Sequence, residues 1–292
     1  NDGKLENTGF DVSLSGKILA LKNFQWEAGA TLGHYKNKVT ALADGAQAMQ
    51  QTLYGATIRS EVGKGANLFY GYKTSGVFAT SDEARQAGLY ILDANGVTKH
   101  YFQAGDMRFV DVDGNHEINE KDMTVIGDPN PDIYGNLFTA LTYKRLRLEA
   151  RLNYSVGNEV YNYMRSQLEG GSRFMNQTTA LNSRWQAEGQ QTSVPRTTFQ
   201  DPMGNSRFSD RWIEDGSYLR LKTLTLSYDL PVNSTFFQGF QFWIQANNLF
   251  TVTKYLGSDP EFSAISSVIG QGIDLGELPQ SRSVVAGVKI NL

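Results

Sequence analysis

The sequence predicts an all-β chain, the carboxy-terminal portion of a membrane β-barrel: about seven antiparallel spanning strands of a larger, roughly 22-strand plugged barrel, with long extracellular loops. Three observations carry this. Segments about ten residues long alternate apolar and polar side chains, their connections alternate strictly between short and long, and no apolar run approaches the ~18 residues of a membrane helix. Side chains of a strand point alternately to its two sides, so each such segment offers one apolar wall and one polar wall.

The segments follow in order. Residues 10–20 and 24–35 come first, then residues 133–143. In residues 146–156, Leu146, Leu148, Ala150, Leu152, Tyr154 and Val156 oppose Arg147, Glu149, Arg151, Asn153 and Ser155. That second face is too charged for a sandwich core and suits a wet lumen. Within RWIEDGSYLRLKTLTLSYDLP (211–231), Leu224, Leu226, Tyr228 and Leu230 oppose Thr223, Thr225, Ser227 and Asp229. Residues 240–250 set Phe240, Phe242, Ile244 and Ala246 against Gln241, Gln245 and Asn247, with Trp243 on the polar side. Residues 283–292 close the set with Val284, Ala286, Val288, Ile290 and Leu292 on one face.

The connections 21–23, 144–145 and 231–239 are short, whereas 37–132, 159–216 and 251–282 are long. Barrels of the outer membrane have short periplasmic turns and long extracellular loops, so the last residue falls on the periplasmic side. The region 37–132 holds alternating pieces of its own at 54–62 and 68–78, expected as extracellular hairpins above the barrel. Ligand contacts belong in such loops. Tyr161, Tyr163, Phe174, Trp185 and Phe199 are candidates to stack on sugar rings or to meet a lid protein, with packing inside the loops as the favoured role. Arg147, Glu149 and Arg151 are expected to pair across strands or to hold a plug.

Composition agrees. The 292 residues are 40% hydrophobic and 12% aromatic, and a net charge of −3 gives no broad basic surface for nucleic acid. With no cysteine there is no disulfide or thiol chemistry. The opening NDGKLENTGF is no secretory signal, although a barrel protein requires one. The sequence therefore reads as mature, trimmed, or the carboxy-terminal part (residues 1–292 throughout) of a longer polypeptide. An odd count of strands favours the last.

Four stretches resemble one family. They are GKILALKNFQWEAGATLGHYKNKV, DVDGNHEINEKDMTVIGDPNPDIYGNL, DGSYLRLKTLTLSYDLP and ANNLFTVTKYLGSDPE, followed by a short alternating strand at the end. In this order they are similar to the carboxy-terminal region of SusC/RagA-type TonB-dependent outer-membrane transporters. The resemblance implies a bacterial outer-membrane barrel importing oligosaccharides or peptides, with a SusD-like surface lipoprotein as lid and a TonB complex as energy source. The family's plug and TonB-engaging segment have no match here. The final strand, through Gly287, Ile290 and Leu292, also resembles an outer-membrane assembly signal, with Leu292 in place of the usual aromatic and Val285 where a polar residue is common.

One constellation has site chemistry. Asp111, Asp113, Asn115, Glu117, Asn119 and Asp122 occupy positions 1, 3, 5, 7, 9 and 12 of an EF-hand-like loop, the spacing that aims hard oxygens at calcium. His116 stands where the turn normally takes glycine, and Asp122 is shorter than the usual glutamate. The bland alternative is an acidic turn held by side-chain hydrogen bonds to backbone. His34, His100 and His116 have no zinc spacing, Gly63, Gly65 and Gly71 fit a glycine-rich strand or turn, and no nucleophile elbow or phosphate loop occurs, so the chain is not expected to be an enzyme. The alternative function is a soluble all-β ligand-binding or adhesion module whose apolar faces pack on each other.

Overall fold

The computed structural model describes residues 3–232, 236, 238–262 and 268–291. Seven strands form one antiparallel sheet in chain order: β1 (Lys4–Ala20), β2 (Phe24–Ala41), β3 (Ile133–Tyr143), β4 (Leu146–Val156), β5 (Tyr218–Pro231), β6 (Gly239–Thr253) and β7 (Ser283–Asn291). Each pairs with the strand before it. The expected bounds of β3 and β4 hold. β1 and β2 run further, to Lys4 and Ala41, so what reads as loop from Asn37 begins as strand.

Register keeps the two faces separate across the whole sheet. An apolar row runs Leu19, Trp26, Leu141, Leu148, Leu226, Ile244, Ala286, and beside it a mostly polar row runs Lys17, Glu27, Ala140, Glu149, Thr225, Gln245, Val285. A slip of one residue in any pair would exchange the faces, so the pattern itself fixes the register. Among the described residues, no second layer covers the apolar side. Leu14, Ile18, Leu226, Phe242, Val284 and Val288 stay exposed there, which removes the packed faces that a soluble sandwich needs. Among the described residues, no helix is long and apolar enough to cross a membrane.

Two irregularities have physical reasons. At Lys222 a bulge interrupts β5 against both neighbours. It lets Leu221 and Leu224, three apart in sequence, both take the apolar side. Trp243 does lie on the polar side, opposite Gly287 in register. A Cβ on Gly287 would come 2.5 Å from the indole Cζ2, so the glycine makes room for the ring. Gly287 thus has a packing role independent of any assembly signal; Leu292 lies outside the described residues.

The hydrophobic core sits in the connections. Residues 42–132, 157–217, 254–262 and 268–282 gather at the end of the sheet away from the turns at 21–23 and 144–145. The first of them folds into a four-stranded sheet, in the order Thr124–Gly127, Leu68–Gly71, Ala56–Glu61, Ala48–Leu53, with Thr74–Val77 paired separately to Met107–Phe109. One buried cluster draws on all three connections: Ala56, Ile58, Phe69 and Ile126 from the first, Tyr161 and Trp212 from the second, Ile273 from the third. The long loops therefore fold as one crown. A clasp strengthens it, because the buried Asp106 takes two bonds from Arg196, at 2.8 and 3.0 Å, and one from Asn205 at 2.9 Å.

Candidate functional site at the polar wall and its mouth

The polar wall carries a ladder of charges. Glu27 on β2 lies 3.9 Å from Lys17 and 3.4 Å from Arg147, while Glu149 on β4 lies 3.2 Å from Arg147 and 2.7 Å from Arg151. Arg147 reaches Glu27 diagonally across β3, where Thr142 stands opposite Arg147 and the small Ala140 opposite Glu27. Of the three residues expected to pair across strands, Arg147 does so with Glu27, whereas Glu149 and Arg151 pair within β4 itself. Each carboxylate sits between two cations, so the face is charged yet nearly balanced.

Higher on the same wall stands a group that alternation alone does not reveal. Arg220 is 3% exposed; its guanidinium pairs with Asp259, its Nε donates to Thr251 at 2.9 Å, and Glu261 lies 3.2 Å away. Lys222 reaches Glu261 at 2.9 Å and Gln280 at 3.0 Å. Burial pushes the Asp259 carboxyl up, but hydrogen bonds from Arg220 and from the Gln280 and Glu261 amides outweigh it, so the group lies below the ordinary aspartate range. Nearby, the Tyr255 hydroxyl donates to Asp274, and burial and that carboxylate raise the phenol. A cavity of about 380 Å³ opens here, lined by Arg220, Asn248, Thr251, Asp259, Gln280 and Arg282 among others. The only sequence signal was the phase change in LRLKTLTL, where leucines at 219 and 221 give way to 224 and 226.

The loop aromatics divide. Tyr161 is buried with its hydroxyl donating to the Tyr54 carbonyl at 3.2 Å, Tyr163 is half-buried against it, and Trp185 donates to the Ala79 carbonyl at 3.1 Å. Phe174 and Phe199 stack on each other at 4.7 Å and remain exposed, Phe174 at 91%. Three of the five candidates therefore build the crown, and two face solvent.

In the acidic loop, oxygens of Asp111, Asp113 and Asp122 lie within 4.8 Å of one another. Asp111 accepts from the Gly114, Asn115 and His116 amides, and the fully buried Asp122 accepts from Val112 at 2.8 Å and Asn119 at 2.9 Å. The other three candidates turn elsewhere: Asn115 accepts from the Glu117 amide, Glu117 from the Asn119 side chain, and Asn119 from the Lys121 amide. His116 does adopt the left-handed conformation, at φ 66°. Three convergent carboxylates are of the donor type that a hard cation takes, and they supply three of the six to eight oxygens that calcium requires.

A scan against protein-family models finds no match. The chain is 30% identical over 303 residues to the TonB-dependent receptor P3 of Formosa agariphila, covering 99% of this chain and 29% of that receptor. It is 24% identical over 304 residues to the TonB-dependent receptor SusC of Bacteroides thetaiotaomicron, covering 99% and 27%. The structure of the RagAB peptide transporter superposes with a TM-score of 0.75 at 28% identity, covering 99% of this chain and 30% of that one. The chain spans less than a third of the length of the relatives it matches. Their end-to-end likeness joins with the two-faced wall, the alternating connections and the crown in one conclusion: over 99% of its length the chain is similar to part of TonB-dependent receptors of the SusC/RagA type.

Proposed function

We propose that this chain forms part of an outer-membrane importer of the SusC type, which takes up oligosaccharides or peptides beneath a SusD-like surface lipoprotein lid and draws energy from a TonB complex. The observation that supports this most is the joining of one polar, charge-lined wall to a single crown built from all three long connections. A wall of that kind suits a hydrated passage, and the crown supplies a surface on which cargo and lid can be held. The test is uptake by cells carrying the full-length transporter, measured with labelled oligopeptides and labelled oligosaccharides in separate arms. The proposal expects one class to enter in a TonB-dependent manner and its uptake to cease when the gene is deleted. Undiminished entry of both classes after deletion would contradict it.

Calcium enters the proposal as a fold ligand of the acidic loop, not as cargo. Titration calorimetry of the full-length protein is expected to show calcium binding that Asp113→Asn weakens. No heat at millimolar calcium would remove the ion from the account.

A further inference from the structure

The outward face of the β1–β2 hairpin changes character at one height. Up to Phe10 and His34 it is apolar, with Leu14 beside Ala30 and Val12 beside Leu32, and the Phe10 and His34 rings lie 5.5 Å apart at the rim. The next positions on that same face are Thr8 beside Lys36, then Glu6 beside Lys38. Each step of two residues rises ~6.8 Å along the strand, so both lysines stand just beyond the apolar band, on the side that faces lipid.

A third lysine joins them through the crown. The turn at residues 62–66 adds itself to the free edge of β2: the Val39 amide donates to the Lys64 carbonyl at 2.9 Å, the Gly63 amide to the Val39 carbonyl at 2.8 Å, and the Ala66 amide to Asn37 Oδ1 at 2.7 Å. The result is a concavity of about 360 Å³ lined by Lys36, Lys38, Lys64, Thr8, Glu6 and backbone at Gly63 and Gly65. Lys64 pairs with Glu61 at 3.1 Å, whereas Lys36 and Lys38 are exposed and make no ion pair among the described residues. Two unpaired ammonium groups beside a third, next to a hydroxyl and glycine backbone, match the chemistry of a phosphate.

We infer that this concavity seats the phosphate of an anionic lipid headgroup in the outer leaflet, held by Lys36, Lys38 and Lys64. The inference rests on the proposed reading that the apolar face spans the outer membrane. Height selects the occupant: lysines placed just beyond an apolar band carry their charges at the headgroup layer.

The test uses the full-length transporter purified from its own outer membrane in a neutral detergent. Native mass spectrometry counts the phosphorylated glycolipid that remains bound. The wild type is expected to retain it, Lys38→Gln alone to lower occupancy about fivefold, and the triple change to glutamine to lower it further, with the triple change to arginine restoring it. Equal occupancy in wild type and glutamine variants would overturn the inference. In a second arm, melting is followed as purified lipid A or inorganic phosphate is added. Stabilisation by lipid A alone is expected; equal stabilisation by phosphate would make the seat one for soluble anions and overturn the assignment to lipid. Absence of the wild type from the membrane fraction would instead overturn the spanning reading itself.

Discussion

Asp122 is the most consequential single side chain of the acidic loop, because it is fully buried and satisfies the Val112 and Asn119 amides together. Asp122→Ala removes the acceptor of two part-buried amide donors, at a cost of about 1–3 kcal/mol, so the loop should lose protection in hydrogen exchange while the distant strands keep theirs. Arg220 offers a sharper case. Removing one partner of a buried ion pair leaves the other uncompensated, so Arg220→Met should cost about 3–5 kcal/mol, whereas Arg220→Met with Asp259→Leu should cost clearly less. Melting of the purified transporter decides this, and additive losses would speak against a desolvated pair. Acid acts at the same place. The folded Asp259 carboxyl titrates below its unfolded value, so its stabilisation is complete above about pH 4 and fades as pH falls through the folded value. The difference in melting between wild type and Asp259→Asn should accordingly shrink from pH 7 to pH 3.

At the scale of the element, the Lys222 bulge sets which residues of β5 see lipid. Deleting Lys222 would straighten the strand and carry Arg220 to the apolar side or Leu224 to the polar one, so the variant should fail to give a heat-modifiable barrel. Gly287→Val should destabilise the β6–β7 pair by about 1–3 kcal/mol through its clash with Trp243, and Trp243→Ala should relieve much of that loss. These elements also show what a sequence reveals. β3 and β4 are legible to the residue: β4 alternates without exception from Leu146 to Val156, and β3 ends at the short turn before it, although Phe138 and Ala140 interrupt its polar side. The bulge and the Arg220 beside it were visible only as a change of phase, and the partners of Arg220 not at all, since Asp259 and Glu261 meet it from 39 and more residues away. The acidic loop lies between these cases. Its spacing brought Asp111, Asp113 and Asp122 together, but short side chains at 115 and 119 found nearer backbone partners.

Across the whole molecule, stability is divided unusually. Among the described residues the wall has no covering layer, whereas the crown carries a buried core centred on Trp212, Phe69 and Ile273. That core could not be read from periodicity, because its members come from three connections far apart in sequence and obey no common repeat. In the proposed importer, cargo and lid contacts would fall on this packed crown above a strongly patterned wall. Everything in this account follows from that wall having one face in lipid and one in water. Because the chain contains no cysteine, a single thiol introduced at each position of Leu146–Val156 in the full-length transporter, in intact outer membranes, reads the two faces directly. Reaction with a water-soluble maleimide should alternate, high at residues 147, 149, 151, 153 and 155 and low at the positions between. Uniform reactivity along the strand, or a repeat other than two, would contradict the account.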